Sequence, residues 1–121
     1  MNNQNYTPKD WEKLSTYEEE VLMPAVIDLV NLHKGKRNAI SGRCIVVELR
    51  SQQFLVNIFS LKKIIRFIRL NNMGLCLTAC SKGYFVAETE REILNYILSL
   101  DRRVKALSRE KEDAIQSYQR L

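Results

Sequence analysis

Residues 60–87 read SLKKIIRFIRLNNMGLCLTACSKGYFVA, and the folding of this stretch decides the rest. At 100° per residue, Leu61, Ile64, Ile65 and Ile68 share a sector of roughly 100°, the apolar stripe of an amphipathic helix. Lys62, Arg66 and Arg69 fall together on one flank of that stripe, with Lys63 beyond them. The spacing predicts a helix that starts at Asn57 or Ser60 and ends near Asn71. Asn71-Asn72-Met73-Gly74 stops it with residues that tolerate left-handed backbone. Residues 75–79 and 84–87 are then short strand-like runs, and Cys80-Ser81-Lys82-Gly83 between them supplies the glycine of a tight hairpin.

Downstream, Thr89-Glu90-Arg91-Glu92 is a capping box, in which Thr89 caps and Glu92 reaches back. It opens a helix predicted to run to the end of the chain. Ile93, Ile97, Leu100, Val104, Leu107, Lys111, Ala114, Tyr118 and Leu121 follow a 4-3 spacing without a slip. Such a seam suits a coiled coil or a helix folded back on its own domain.

Upstream, Ser41 is placed to cap residues 43–49, although the β-branched run Ile45-Val46-Val47 suits a buried strand equally well. Earlier still, Ser15 or Thr16 precedes Glu18, Glu19 and Glu20, the sign that a helix N-terminus favours. Val21, Leu22, Ala25, Val26, Leu29, Val30 and Leu32 continue an apolar face. Pro24 either kinks that helix or marks its true start, and Gly35 is the expected C-terminal cap. Trp11, Leu14 and Tyr17 are expected to pack its beginning onto the body. Residues 1–15 are read as a loose polar arm, 16–88 as the folded domain and 89–121 as the C-terminal helix.

The chain has 121 residues, 45% hydrophobic and 27% charged, which fits one globular domain with an extension. Its 19 Lys and Arg against 14 Asp and Glu leave a net charge of +5, unevenly placed. Residues 34–87 hold ten cations and only Glu48, whereas 1–33 are net acidic and 88–121 neutral. A clustered surplus makes the field that phosphates feel. No apolar run approaches the ~20 residues of a membrane span, and MNNQNYTPKD lacks the features of a signal peptide. Three cysteines without a CxxC pair point to a reduced compartment, read here as the cytoplasm.

Helix, short element, basic helix, β-hairpin, long helix is the order of a winged helix-turn-helix with a C-terminal extension. The expected fold is therefore α+β, mostly α, with a two-stranded wing. Over residues 17–107 the chain also resembles small winged-helix proteins encoded by bacteriophages and prophages. The likeness rests on Ala39-Ile40-Ser41-Gly42, on Lys62-Lys63-Ile64-Ile65-Arg66, on the wing Cys80-Ser81-Lys82-Gly83-Tyr84-Phe85-Val86-Ala87, and on Thr89 with its charged helix. It implies helix for residues 43–49 and a DNA-binding factor of phage replication or gene control, acting in the bacterial host cytoplasm. One departure is Arg50-Ser51-Gln52-Gln53 where such proteins usually place a glycine or a capping serine.

The expected partner is double-stranded DNA, met by Arg43, Asn57, Ser60, Lys62, Lys63, Arg66, Arg69 and Lys82, with Asn57 and Ser60 alternatively serving as caps. The C-terminal seam is expected either to pair two chains or to dock on a replication or packaging protein. That second use makes the chain an interaction adaptor. A membrane partner is not expected. Nothing points to catalysis: His33 stands in a basic loop without a carboxylate partner, and GxGxxG, GxxxxGK[ST] and HExxH are absent. Cys44, Cys76 and Cys80 are read as small buried hydrophobes, too few for zinc. No cofactor is expected.

Overall fold

Ser15 and Glu18 begin the first helix as a reciprocal pair: the Ser15 N–H donates to the Glu18 carboxylate at 2.8 Å and the Glu18 N–H to Ser15 Oγ at 3.1 Å. The computed structural model describes residues 13–71 and 73–121. The arm read over 1–15 falls outside them as far as residue 12, as does Trp11. Pro24 stands in the first turn of an α-helix, the second of its two expected roles, where its missing N–H costs no helical bond. A π-turn, Glu18–Leu22, leads directly into α1, Met23–Val30. Its wider i→i+5 bonding accommodates a residue without an N–H. Leu22, Val26, Leu29 and Val30 are buried, but Val21 and Leu32 of the expected face are exposed, Leu32 because it lies beyond the end of the helix.

Gly35 is not the cap of α1. The helix stops at Val30 with Asn31 as its C-cap, because the chain turns away to pair with the hairpin. Gly35, at φ +85°, instead opens a short 3-10 turn, Lys36–Asn38.

Residues 43–49 are helical. In α2, Gly42–Ser51, the Ser41 hydroxyl caps by accepting from the Cys44 N–H at 3.1 Å. Ile45, Val46 and Leu49 face the core. The α2 C-terminus explains how the chain manages without the usual glycine. Gln53 takes φ +71°, the Phe54 N–H donates to the Leu49 carbonyl at 3.0 Å, and the Gln53 N–H to that of Arg50 at 2.9 Å. This is a Schellman cap built on glutamine. The Arg50 Nε–H donates to the Val56 carbonyl and the Leu55 N–H to the Tyr17 hydroxyl, both at 2.8 Å, which pins the turn.

α3, Ile58–Leu70, starts after Asn57, whose Oδ1 accepts from the Ser60 N–H at 2.8 Å. The expected stripe is its buried face: Leu61, Ile64, Ile65 and Ile68. β1, Leu77–Cys80, pairs antiparallel with β2, Gly83–Val86, in the register Leu77–Val86 through Cys80–Gly83. Ser81 and Lys82 form the turn. Thr78 is fully buried with its hydroxyl donating to the Phe85 carbonyl at 3.2 Å. The segment between α1 and α2 bridges to β2 twice, Lys34 with Val86 in parallel and Ile40 with Tyr84 antiparallel. The hairpin is thereby bound to the start of α2.

α4, Glu90–Gln119, is 30 residues long, about 45 Å at 1.5 Å per residue. Thr89 Oγ1 accepts from the Glu92 N–H at 3.2 Å. The Glu92 carboxylate accepts from the N–H groups of Glu88 and Lys36, both at 2.8 Å. These bonds hold its carboxyl below the usual range and tie the foot of α4 to the 3-10 turn. From Leu100 onward every residue is exposed. The alternative in which this helix folds back is therefore not the one adopted.

Among the described residues the chain is α+β and mostly α, with four α-helices and a two-stranded sheet around one core. Among them no helix is long and apolar enough to cross a membrane.

Candidate nucleic-acid interface

Cations on the outer side of α3 have two fates. Lys62 and Arg66 are exposed. Lys63, one residue after Lys62, is half-buried and bridges Glu18 at 3.0 Å, also donating to the Lys13 carbonyl at 3.3 Å. Glu18 is 7% exposed. Burial pushes its carboxyl up, but the Ser15 N–H, the Lys63 ammonium and the Ser60 hydroxyl outweigh this and hold it below the usual carboxylate range.

Arg69 is likewise drawn inward. Its Nε–H donates to the Leu77 carbonyl at 3.0 Å, and its guanidinium lies 5.6 Å from the Tyr84 ring centre and 5.5 Å from that of Tyr96. It straps α3 to the hairpin and to α4.

Four of the eight residues read as DNA contacts thus have internal roles: Asn57 caps α3, Ser60 and Lys63 serve Glu18, and Arg69 is the strap. For Asn57 the partner is local, the first turn of its own helix, whereas Ser60, Lys63 and Arg69 reach partners on other elements. Arg43, Lys62, Arg66 and Lys82 are all exposed.

The fold brings several of these close together. A Cβ on Gly42 would lie 3.0 Å from Ile58 Cδ1, 3.5 Å from Tyr84 and 3.7 Å from Leu61. The start of α2, the first turns of α3 and β2 therefore converge. Arg43 adjoins that junction on α2, Lys62 on α3, and Lys82 precedes β2 at the hairpin tip.

Between α3, β1 and the first turns of α4 runs an open groove of about 770 Å³. Lys62, Arg66 and Arg103 line it together with Phe59, Leu70 and Leu100. Phe59, at 62% exposed, was not among the expected contacts. Its signal lay in the helical wheel, which sets it opposite the Leu61–Ile64–Ile65–Ile68 sector. An exposed phenylalanine in a first turn can contact a thymine methyl.

The remaining chemistry is sparse. His33 is half-buried with Nδ1 2.8 Å from the Asn38 carbonyl. Cys44 is exposed rather than buried, because it lies on the solvent side of α2, and Cys76 and Cys80 are half-buried. The chain matches no protein-family model, and no curated protein or solved structure is found similar to it.

The Glu18–Lys63 pair makes a pH prediction. A carboxyl with a lowered folded pKa adds stability that is complete above its unfolded pKa, about 4.3 for glutamate. That stability is lost as pH falls through the lower folded value. Glu18→Gln is therefore expected to lower the melting temperature at pH 7, and the gap from wild type should close as the pH drops below that window. A gap that stays constant down to pH 2 would show that Glu18 contributes nothing through its charge.

Proposed function

We propose that the chain binds double-stranded DNA as a winged helix-turn-helix, with α3 in the major groove and the β1–β2 hairpin on the neighbouring backbone. The observation that carries this reading is the placement of exposed Arg43, Lys62 and Lys82 around one junction of α2, α3 and the hairpin. A helix in the major groove reads base edges while cations beside it meet phosphates. The order of elements, with the 34–40 segment bridged to β2, supports the same reading, as does the likeness to phage and prophage winged-helix proteins. Within that reading the role is replication or transcriptional control, without a catalytic step.

The test is titration into fluorescent random-sequence duplex at two salt concentrations. Binding in the micromolar range that weakens steeply with salt is expected. Each of Lys62→Ala, Arg66→Ala and Lys82→Ala should reduce the salt slope by about 0.9, one phosphate apiece. Lys63→Ala should leave the slope unchanged. No binding at low salt would sink the reading. The apolar part of the groove, with exposed Phe59 and half-buried Leu70 lining it, would then favour an adaptor that docks on a replication or packaging protein.

A further inference from the structure

The outer two-thirds of α4 is a single helix in water carrying an unpaired apolar seam. Val104 is 60% and Leu107 63% exposed. In proteins most helical stability comes from packing an apolar face, and here that face has nothing packed on it among the described residues. In heptad terms Ile97, Val104, Lys111 and Tyr118 occupy a, and Leu100, Leu107 and Ala114 occupy d. Such a seam suits pairing of helices, and the residues that flank it choose the direction.

We infer that α4 pairs with α4 of a second copy of this chain in antiparallel orientation, with Val104 opposite Leu107. Three observations choose that direction. The flanking g positions hold Arg103 and Glu110, and antiparallel pairing sets each Arg103 beside Glu110 of the other copy, twice per dimer. Parallel pairing instead puts Arg103 beside Ser108 and Glu110 beside Ile115. Next, Leu94 and Ile115 are exposed apolar residues outside the seam. Both are at e, and antiparallel pairing brings each against the other across the interface. Last, Lys111 then lays its stem along Leu100 of the second copy, whereas parallel pairing would set two Lys111 ammonium groups face to face. Ala114 similarly meets the larger Ile97 rather than another alanine.

The two-fold axis crosses α4 between residues 105 and 106. The two Ile93 positions are then about 38 Å apart along the coil at 1.5 Å per residue. On the DNA-binding reading, this spacing is close to one duplex turn, about 34–36 Å, the separation of half-sites read by paired domains.

Sedimentation of the full chain without DNA tests the pairing. A dimer at micromolar concentration is expected. Arg103→Glu and Glu110→Arg should each weaken it by about tenfold, since either puts like charges together twice. The double variant should return it to within about threefold of wild type, because it restores both opposite-charge pairs. A monomer at ~100 μM would overturn the inference and leave the seam to a different protein. A dimer indifferent to both reversals, or one the double variant does not rescue, would overturn the antiparallel arrangement. Dimerisation without DNA binding would uphold the pairing while removing the DNA reading, so the two fail separately.

Discussion

Gly83→Ala should cost roughly 3 kcal/mol of folding stability, about the upper end of the range for one strained residue. Gly83 has φ +137°, which L side chains rarely adopt. A Cβ there would also overlap the Ile40 carbonyl and lie 2.6 Å from the Ser41 nitrogen. Both obstacles are backbone and cannot rotate away. Relief requires parting the Ile40–Tyr84 bridge, whose two N–H···O bonds are 2.8 Å each. That bridge joins the hairpin to the cap of α2, so the damage would spread to the junction where the exposed cations meet. Gly74→Ala is the control: Gly74 also has positive φ, but nothing lies within 4 Å of its would-be Cβ. Only backbone strain remains there, about 1 kcal/mol. Urea unfolding would separate the two, and a Gly83→Ala protein within about 0.5 kcal/mol of wild type, the usual range of inert surface changes, would refute the close approach.

Arg69→Ala is expected to cost about 2 kcal/mol, combining a charged hydrogen bond with two cation–π contacts at a partly exposed site. The variant leaves the Leu77 carbonyl without its side-chain donor and frees the first turns of α4 from α3. Arg69→Lys keeps the charge but lacks Nε and the planar fork, so it should recover less than half of the loss. The DNA salt slope should be the same in all three proteins. A slope reduced by one unit with stability unchanged would make Arg69 a phosphate contact and not a strap.

These two residues show how far reading along the chain reaches. Gly83 was visible as a turn glycine, but the need for it comes from Ile40, more than forty residues earlier. Arg69 belonged by periodicity to the same stripe as Lys62 and Arg66. Its different fate depends on the Leu77 carbonyl and the Tyr96 ring, which only the hairpin and α4 bring alongside. Lys62 and Lys63 are adjacent and chemically identical, yet Glu18 lies opposite one of them alone. The α2–α3 turn shows the reverse case: it lacks the glycine expected there, and Gln53 adopts the glycine's conformation because two cap bonds and a packed Phe54 hold it.

What the amino-acid sequence by itself determined is the set of elements: the Ser41 and Thr89 caps, the apolar stripe of α3, the hairpin and the unbroken seam of α4. Those signals are local, since helix and strand periods repeat within a few residues and caps act over three. The helical state of 43–49 is different, because local propensity permitted a strand and packing of Ile45, Val46 and Leu49 against the core settled it. Tertiary structure alone decided that Lys63 and Arg69 are drawn to internal partners and that α4 extends away from its own domain. A long side chain goes to whatever donor, acceptor or ring the rest of the fold sets within its reach, and no spacing along the chain encodes that.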